Sequence, residues 1–319
     1  MPTLKNIFRP SFLKRLESLR IECRKLYYGN RKGQYIASAM KGTSVEFADY
    51  QEYSPGDDFR HVDWNLYSRL DKLLVKTFKE ELELTIHILL DTSKSMLYPP
   101  EDKKFEFAKN IALAFSYIGL SDQNSVSLAK FLNTDVKEKK TAASDKQSNY
   151  RFDLNEHTPF LRKRGDIFNI NNFLEKIKPG GLMDFDGFIK KYIFKNKGKG
   201  GTVLIISDFM LAPEIYKNGL KLLKFKNYDV KVIQILGPKE LDPFGKIKKG
   251  KIIDVETNEK KVVNSTATIR KKYKDFIEKH NEDLKNFCRS NNIVYSLARS
   301  DLNFEDYILK ELPKLGFVN

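Results

Sequence analysis

Residues 87–96, HILLDTSKSM, decide the fold of this chain. An apolar run ends at the carboxylate of Asp91, and two hydroxyls follow at alternate positions, on Ser93 and Ser95. An apolar run without polar alternation is typical of a strand that is buried on both faces of a parallel sheet. In such sheets ligands bind outside the carboxyl ends of the strands, which is where these three residues are expected to lie.

The same pattern recurs along the chain from residue 86. Segments with helical periodicity alternate with apolar segments that are predicted to be strands, namely IHILLD, NSVSLAKFL, TVLIISD, DVKVIQIL and IVYSLA. This alternation predicts an α/β fold with a mostly parallel sheet that is covered by helices on both faces. The predicted domain comprises residues 86–319. Residues 137–150 have no apolar periodicity and are expected to form a mobile loop within it.

Two further segments precede this domain. Within residues 1–30, apolar side chains repeat at helical spacing and predict an amphipathic N-terminal helix over residues 10–28. Residues 31–85 are predicted to be β-rich and extended, with a type II turn at Pro55-Gly56. This β-rich segment is expected to pack with a hairpin in residues 237–265.

Charged residues are concentrated in the β-rich segment, around the only tryptophan of the chain, Trp64. Their density near aromatic residues predicts an ion-pair network that holds a small sheet together, and a binding surface is the alternative. The residues concerned are Glu46, Asp49, Asp57, Arg60, Asp63 and Arg69.

The composition predicts a cytoplasmic protein. The first twenty residues carry charges every few positions and contain no apolar core of a secretory signal. The longest apolar stretch, residues 110–120, is far shorter than the ~18 residues that a membrane span needs. The two cysteines, Cys23 and Cys288, show no pairing pattern, which suits a reducing compartment.

The net charge of +15 raises the question of a nucleic-acid or membrane ligand. The excess of lysine and arginine is spread over clusters such as KEKK (137–140) and RKKYK (270–274), without the interleaved aromatic residues of a nucleic-acid module. Solvated lysine faces are therefore predicted, and no specific nucleic-acid site. A basic face for an acidic partner stays open as an alternative.

A second predicted strand, TVLIISD, also ends at a carboxylate, Asp208. If this strand neighbours the first, two carboxylates and the hydroxyls of Ser93 and Ser95 converge on one spot. Hard oxygen ligands of this kind suit Mg²⁺, which retains waters and an open coordination position. The alternative is that DTSKS is a helix start with a serine cap. The presence of Asp208 favours the metal site.

Catalytic interpretations fit less well. Phosphoaspartyl phosphatases need an acid/base aspartate two residues after the nucleophile, and that position here is Ser93. No G-x-S-x-G motif occurs, and the four histidines lack metal-ligand spacing. The sequence therefore predicts a protein without enzymatic activity, and a metal-dependent hydrolase remains the alternative.

The motif DTSKSM resembles the D-x-S-x-S signature of von Willebrand factor A domains, whose metal-ion-dependent adhesion site binds Mg²⁺. The upstream stretch YSPGDDFRHVDW and the later GKIIDVETNEKKVV are similar to domain-of-unknown-function family 58, and the likeness covers roughly residues 30–316. This resemblance implies a von Willebrand factor A-like fold, with a three-layer, doubly wound, mostly parallel sheet. It also implies an additional small β subdomain.

The resemblance further implies a non-enzymatic protein-binding module whose Mg²⁺ site receives a carboxylate of a partner. The partner that it implies is a MoxR-type AAA+ ATPase, with further client proteins. Related A domains carry a threonine in the loop that reads GGLMDFDG here, at residues 180–187. Asp184 is expected to act as a ligand in its place, so Mg²⁺ is expected to bind weakly, or the site is vestigial.

Overall fold

The computed structural model describes residues 9–23, 46–57, 59–79, 84–131, 157–180, 184–196, 200–243, 249–253, 260–264 and 266–319. The chain divides into two compact units. One contains residues 1–28 together with 84–319, and the other contains residues 29–83.

The strands and helices of the described chain follow the predicted alternation closely. The strands are β1 (Glu46–Glu52), β2 (Leu74–Lys79), β3 (Thr85–Asp91), β4 (Ser125–Phe131), β5 (Thr202–Ser207), β6 (Asp229–Leu236), β7 (Lys249–Ile253), β8 (Lys260–Asn264) and β9 (Val294–Arg299). The helices are α1 (Pro10–Glu17), α2 (Trp64–Leu70), α3 (Lys104–Ser121), α4 (Ile167–Lys176), α5 (Phe185–Lys195), α6 (Pro213–Phe225), α7 (Pro238–Leu241) and α8 (Ala267–Ser290). A C-terminal helical segment follows, formed by Phe304–Asp306, the π-helical Tyr307–Glu311 and Leu312–Lys314.

Five parallel strands form the central sheet of the larger unit, in the order β4–β3–β5–β6–β9. The prediction of an α/β fold with a parallel sheet is confirmed. The register places Leu90 of β3 opposite Ile206 of β5. The two strands that end in polar residues are therefore neighbours, and both reach the same edge of the sheet.

Helices cover the two faces of this sheet, because alternate residues of each strand enter different apolar clusters. Ile88 and Leu90 belong to a cluster with side chains of α1, α3, α4 and the C-terminal segment, whereas Leu89 belongs to one with α5, α6 and α8. A Cβ at Gly119 of α3 would lie 2.8 Å from side-chain atoms of Ile86 and Val126. A glycine at this position therefore lets α3 approach β3 and β4 closely.

The N-terminal helix is shorter than predicted: it ends at Glu17, and residues 18–23 are not helical. Ile21 instead forms an antiparallel bridge with Val318. The N–H of Arg20 donates to the carbonyl of Asn319, and the N–H of Asn319 donates back to the carbonyl of Arg20, each at 3.0 Å. Pairing with the C-terminal residues thus replaces the helical hydrogen bonds that local periodicity favoured.

In the smaller unit, β1 and β2 pair antiparallel. The predicted turn at Pro55-Gly56 is confirmed, since the N–H of Asp57 donates to the carbonyl of Ser54 at 2.9 Å and Gly56 has a φ of 113°. The prediction that residues 59–78 are extended throughout is wrong, because α2 interrupts them.

The side chain of Asp63 explains where α2 begins: its carboxylate accepts the N–H groups of Asn65 and Leu66 at 3.0 and 3.2 Å. It also accepts the hydroxyl of Tyr50, and the carboxylate of Asp57 accepts the N–H of Ser54. These two carboxylates therefore bind backbone amides and a hydroxyl. The wider ion-pair network stays a prediction.

β7 and β8 pair antiparallel as the predicted hairpin. Its turn, and the predicted loop over residues 137–150, lie outside the described residues. The expected packing of this hairpin on residues 31–85 stays a prediction. Both cysteines are free, and no helix in the described parts of the chain is long and apolar enough to cross a membrane.

Candidate functional site

The candidate site lies at the carboxyl end of the central sheet, where β3 and β5 run side by side. β3 ends with Asp91, and β5 ends with Ser207 and delivers the chain to Asp208. Asp91, Ser207 and Asp208 are each almost completely buried. Buried polar groups need partners, and the partners of these residues define the site.

The carboxylate of Asp91 is held on both of its oxygens. Oδ1 accepts the N–H of Ser93 at 2.8 Å, and Oδ2 accepts the hydroxyl of Ser207 at 2.5 Å. Burial raises the pKa of Asp91 to about 7, the charge of Asp208 raises it too, and the bonds from Ser207 and Ser93 lower it. Two ionised carboxylates that are buried close together cost free energy unless a cation lies near them or one of them binds a proton.

The hydroxyls of Ser93 and Ser95 share a hydrogen bond at 2.8 Å. Ser93 precedes the short 3₁₀ segment Lys94–Leu97 without capping it through its side chain, and the residue before α3 is Lys103. The alternative interpretation is therefore right that a helical segment starts in DTSKS, but the serine side chain does not cap it. The two hydroxyls lie together, and the backbone N–H of Ser93 joins this loop to the carboxylate of Asp91.

Asp208 has a cationic partner, the side chain of Lys104 at the start of α3. The Nζ of Lys104 lies 3.3 Å from Oδ2 of Asp208, while Oδ1 accepts the N–H of Met210 at 3.2 Å. The same Nζ donates to both carboxylate oxygens of Glu240, at 3.0 and 2.8 Å. A buried ammonium thus bridges two carboxylates at this sheet edge.

Neighbouring charges determine the protonation states of Lys104 and Glu240. Burial lowers the pKa of Lys104, but the charges of Asp208 and Glu240 outweigh that effect and raise it. Burial raises the pKa of Glu240, and the ammonium of Lys104 opposes the rise. Lys104 therefore remains a cation although its side chain is completely buried.

Asp102 positions Glu240 by binding backbone N–H groups of α7. The carboxylate of Asp102 accepts the N–H groups of Lys239 and Glu240, at 3.0 and 3.3 Å, and so holds α7 in place. A Cβ at Gly237 would lie 1.9 Å from Oδ2 of Asp102, so only glycine fits there. This support fixes Glu240 against Lys104.

Asp184 is engaged elsewhere by one of its oxygens. It caps α5, and its Oδ1 accepts the N–H of Gly187 at 2.9 Å. In the described parts of the chain, no three His, Cys, Asp or Glu side chains are grouped as metal ligands. A metal ion at the sheet edge would therefore depend on the serine hydroxyls as well as on carboxylates, and the role of Asp184 stays a prediction.

The donor set fits Mg²⁺. Two carboxylates and two hydroxyls supply hard oxygens, which are the ligands that this ion takes. The ammonium of Lys104 already pairs with Oδ2 of Asp208, so a metal ion would have to share this carboxylate with it. Asp91, Ser93, Ser95 and Asp208 are the residues that would hold the metal.

Sequence reasoning missed Lys104, Glu240 and Ser207. Lys104 lies in the charged run EDKK and has the signature of a surface lysine. Only its position at the start of a largely apolar helix that follows a strand-end motif hints at burial. Ser207 had a clearer signal, since it directly precedes Asp208 in TVLIISD.

A family model described as "Protein of unknown function DUF58" matches residues 49–283. A comparison with curated proteins gives no match. Among solved structures, the conserved hypothetical protein BatB from Bacteroides thetaiotaomicron is 15% identical, with a TM-score of 0.40, and the match covers 73% of this chain and 98% of that one. An aerotolerance-related membrane protein from Bacteroides fragilis is also 15% identical, with a TM-score of 0.38 and the same coverage of both chains. These values are too low to assign a function.

Proposed function

The chain belongs to DUF58, a family of proteins of unknown function, and we propose that it is a non-enzymatic, von Willebrand factor A-like protein-binding module with a Mg²⁺-dependent adhesion site. One observation carries this proposal. Asp91 ends β3, Asp208 directly follows the neighbouring parallel strand β5, and the hydroxyls of Ser93 and Ser95 are paired in the loop after Asp91. The D-x-S-x-S signature accounts for Asp91, Ser93 and Ser95, and the end of the second strand adds Asp208.

The residues of the chain prepare the site for an external carboxylate. Ser207 and the N–H of Ser93 fix the orientation of Asp91, and Met210 fixes that of Asp208. When bound, Mg²⁺ supplies an open coordination position that a glutamate or aspartate of a partner completes. Exclusion of water at the contact strengthens this interaction.

The absence of enzymatic activity is part of the proposal. Position 93, where a phosphoaspartyl phosphatase needs an acid/base aspartate, holds a serine whose hydroxyl is bonded to Ser95. Neither side chain offers a general base at neutral pH. The arrangement suits the binding of a ligand better than its turnover.

The partner that we propose is a MoxR-type AAA+ ATPase, with further client proteins that are assembled or matured with its help. The resemblance of the family supplies this identity, and the chemistry of the site supplies only the carboxylate. Such a partnership places the module in the cytoplasm, where the ATPase finds its nucleotide.

Binding to the purified ATPase from the same organism tests the proposal. Asp91→Asn keeps the size of the side chain but removes its charge and one of its two acceptor oxygens, so it is expected to weaken the complex at least about tenfold. Circular dichroism checks that the variant is folded. Asp275→Asn, on the exposed face of α8, is the matched control and should bind normally. Chelator should mimic Asp91→Asn, and added Mg²⁺ should reverse the effect of the chelator but not that of the substitution. Binding that is insensitive to both treatments contradicts the proposal.

A further inference from the structure

We propose that Lys104 is a resident cation of the candidate metal site and lowers the affinity of that site for a metal ion. Asp208 exchanges between the ammonium of Lys104 and the metal ion, while Glu240 retains the ammonium. This inference rests on the metal site of the proposed function. It adds to that site a residue outside the D-x-S-x-S motif.

The distances within the bridge distinguish the two carboxylates. Lys104 makes two bonds to Glu240, at 3.0 and 2.8 Å, and one longer contact to Asp208, at 3.3 Å. Charge-assisted N–H···O bonds are usually about 2.7–2.9 Å long. Glu240 is thus the strong partner of the ammonium, and Asp208 is the weaker one.

The surroundings of Glu240 keep it in this role. Asp102 holds the N–H of Glu240, and the N–H of Gly237 donates to Oε2 of Glu240 at 3.2 Å. Asp208 has one fixed bond, from the N–H of Met210 to Oδ1, which leaves Oδ2 for the cation. If Oδ2 turns from Lys104 to a metal ion, the ammonium keeps both of its bonds to Glu240.

The exchange of Asp208 between the ammonium and a metal ion changes the electrostatic energy of the site. Without a metal ion, the ammonium offsets the repulsion between Asp91 and Asp208, so the site is formed before the metal arrives. With the metal bound, a divalent ion and an ammonium lie close together in a poorly screened environment and repel each other. Lys104 therefore stabilises the metal-free site and weakens its affinity for Mg²⁺.

Calorimetric titration of the intact chain with MgCl₂ tests this inference. Lys104→Met is expected to tighten Mg²⁺ binding at least about tenfold, since it removes the repelling charge. Lys103→Met makes the same chemical change at the adjacent, exposed residue and should leave the affinity unchanged.

The decisive variant is Lys104→Met combined with Glu240→Gln. It has the net charge of the wild type and leaves no unpaired carboxylate at position 240, so it tolerates the loss of the ion pair better than the single variant. Circular dichroism monitors its fold. We expect the double variant to retain a gain in Mg²⁺ affinity, because the ammonium is gone although the overall charge is the same.

The possible outcomes separate this inference from the proposed function. If wild type binds Mg²⁺ and the folded double variant binds it equally or more weakly, the role of Lys104 is refuted and the metal site stands. If neither wild type nor the variants bind Mg²⁺, while the double variant is folded, the metal site and the role of Lys104 are both refuted. A double variant that folds only with added Mg²⁺ supports the inference, and one that stays unfolded with Mg²⁺ present overturns it.

Discussion

The hydroxyl of Ser207 donates to the carboxylate of Asp91 across 116 positions of sequence, and it also accepts the N–H of Phe209 at 3.0 Å. One buried side chain thus ties the end of β5 to the end of β3. It fixes the orientation of the first carboxylate of the candidate site. Because the hydroxyl makes both of these hydrogen bonds, its removal should affect both the stability of the fold and the geometry of the site.

Ser207→Ala should lower the free energy of unfolding by about 1–3 kcal/mol, because it leaves the N–H of Phe209 and an oxygen of Asp91 without this partner. Urea denaturation measures the change. Ser290→Ala, an exposed serine near the end of α8, is the control and should be nearly neutral. A loss equal to that of the control would show that the bond between β3 and β5 contributes little.

The contribution of Asp91 to the stability of the metal-free protein should fall as the pH rises toward neutrality. Burial, with the charge of Asp208, raises the pKa of Asp91 to about 7, above its unfolded value of 3.8. The folded state therefore binds the proton more tightly, and this stabilisation, present below pH 3.8, is lost as the pH rises through 7. The total effect is on the order of 4 kcal/mol.

Asp91→Asn isolates this contribution. The difference in unfolding free energy between variant and wild type should grow in favour of the variant from pH 5 to 8 in chelating buffer, measured in urea. Saturating Mg²⁺ should flatten the dependence for wild type alone, since a bound cation keeps Asp91 ionised. Parallel pH profiles for the two proteins in chelator would contradict the assignment to Asp91.

The protein should show no hydrolytic turnover. Phosphatase, nuclease and esterase substrates, each tested with Mg²⁺ and with Mn²⁺, should give rates equal to those of buffer containing the metal alone. The reason is that position 93 holds a serine instead of the acid/base aspartate of a phosphoaspartyl phosphatase, and that both oxygens of Asp91 already accept hydrogen bonds, from Ser93 and Ser207. Turnover that disappears in Asp91→Ala would favour the metal-dependent hydrolase instead.

Gly119→Ala should destabilise the larger unit by about 1–3 kcal/mol, because the added methyl group would lie 2.8 Å from side chains of both Ile86 and Val126. Thermal denaturation measures the effect. Gly165→Ala provides the control, since a Cβ there meets nothing within 4 Å. Equal melting temperatures for the two variants would mean that α3 moves away from the sheet at little cost.

The central sheet was largely predictable because its strands are apolar on both faces and its helices are periodic. Asp91 and Asp208 could be predicted as neighbours from the strand ends alone, and β3 and β5 do pair. The bridge of Lys104 to Glu240 could not be predicted, since it joins residues 136 positions apart and only the position of Lys104 at the start of an apolar helix hints at its burial.

Local signals also failed where tertiary contacts compete with them. The helical periodicity of residues 10–28 continues past Glu17. The backbone N–H groups of Arg20 and Glu22 nevertheless donate to the carbonyls of Asn319 and Phe317 instead of forming helical hydrogen bonds. In the smaller unit, the seven residues of α2 are too few for periodicity to be recognised among β-forming neighbours. Asp63, followed by Trp64 and Asn65, carried the only start signal for that helix.

The bridge between Ile21 and Val318 joins the first and the last of the ranges that the structure describes. Phe12 and Leu16 of α1 belong to the same apolar cluster as Phe317, so this cluster is complete only when both segments have docked. Contacts between segments so far apart in sequence require loop closure before they contribute stability. We therefore expect the docking of α1 to be a late step in the folding of the larger unit.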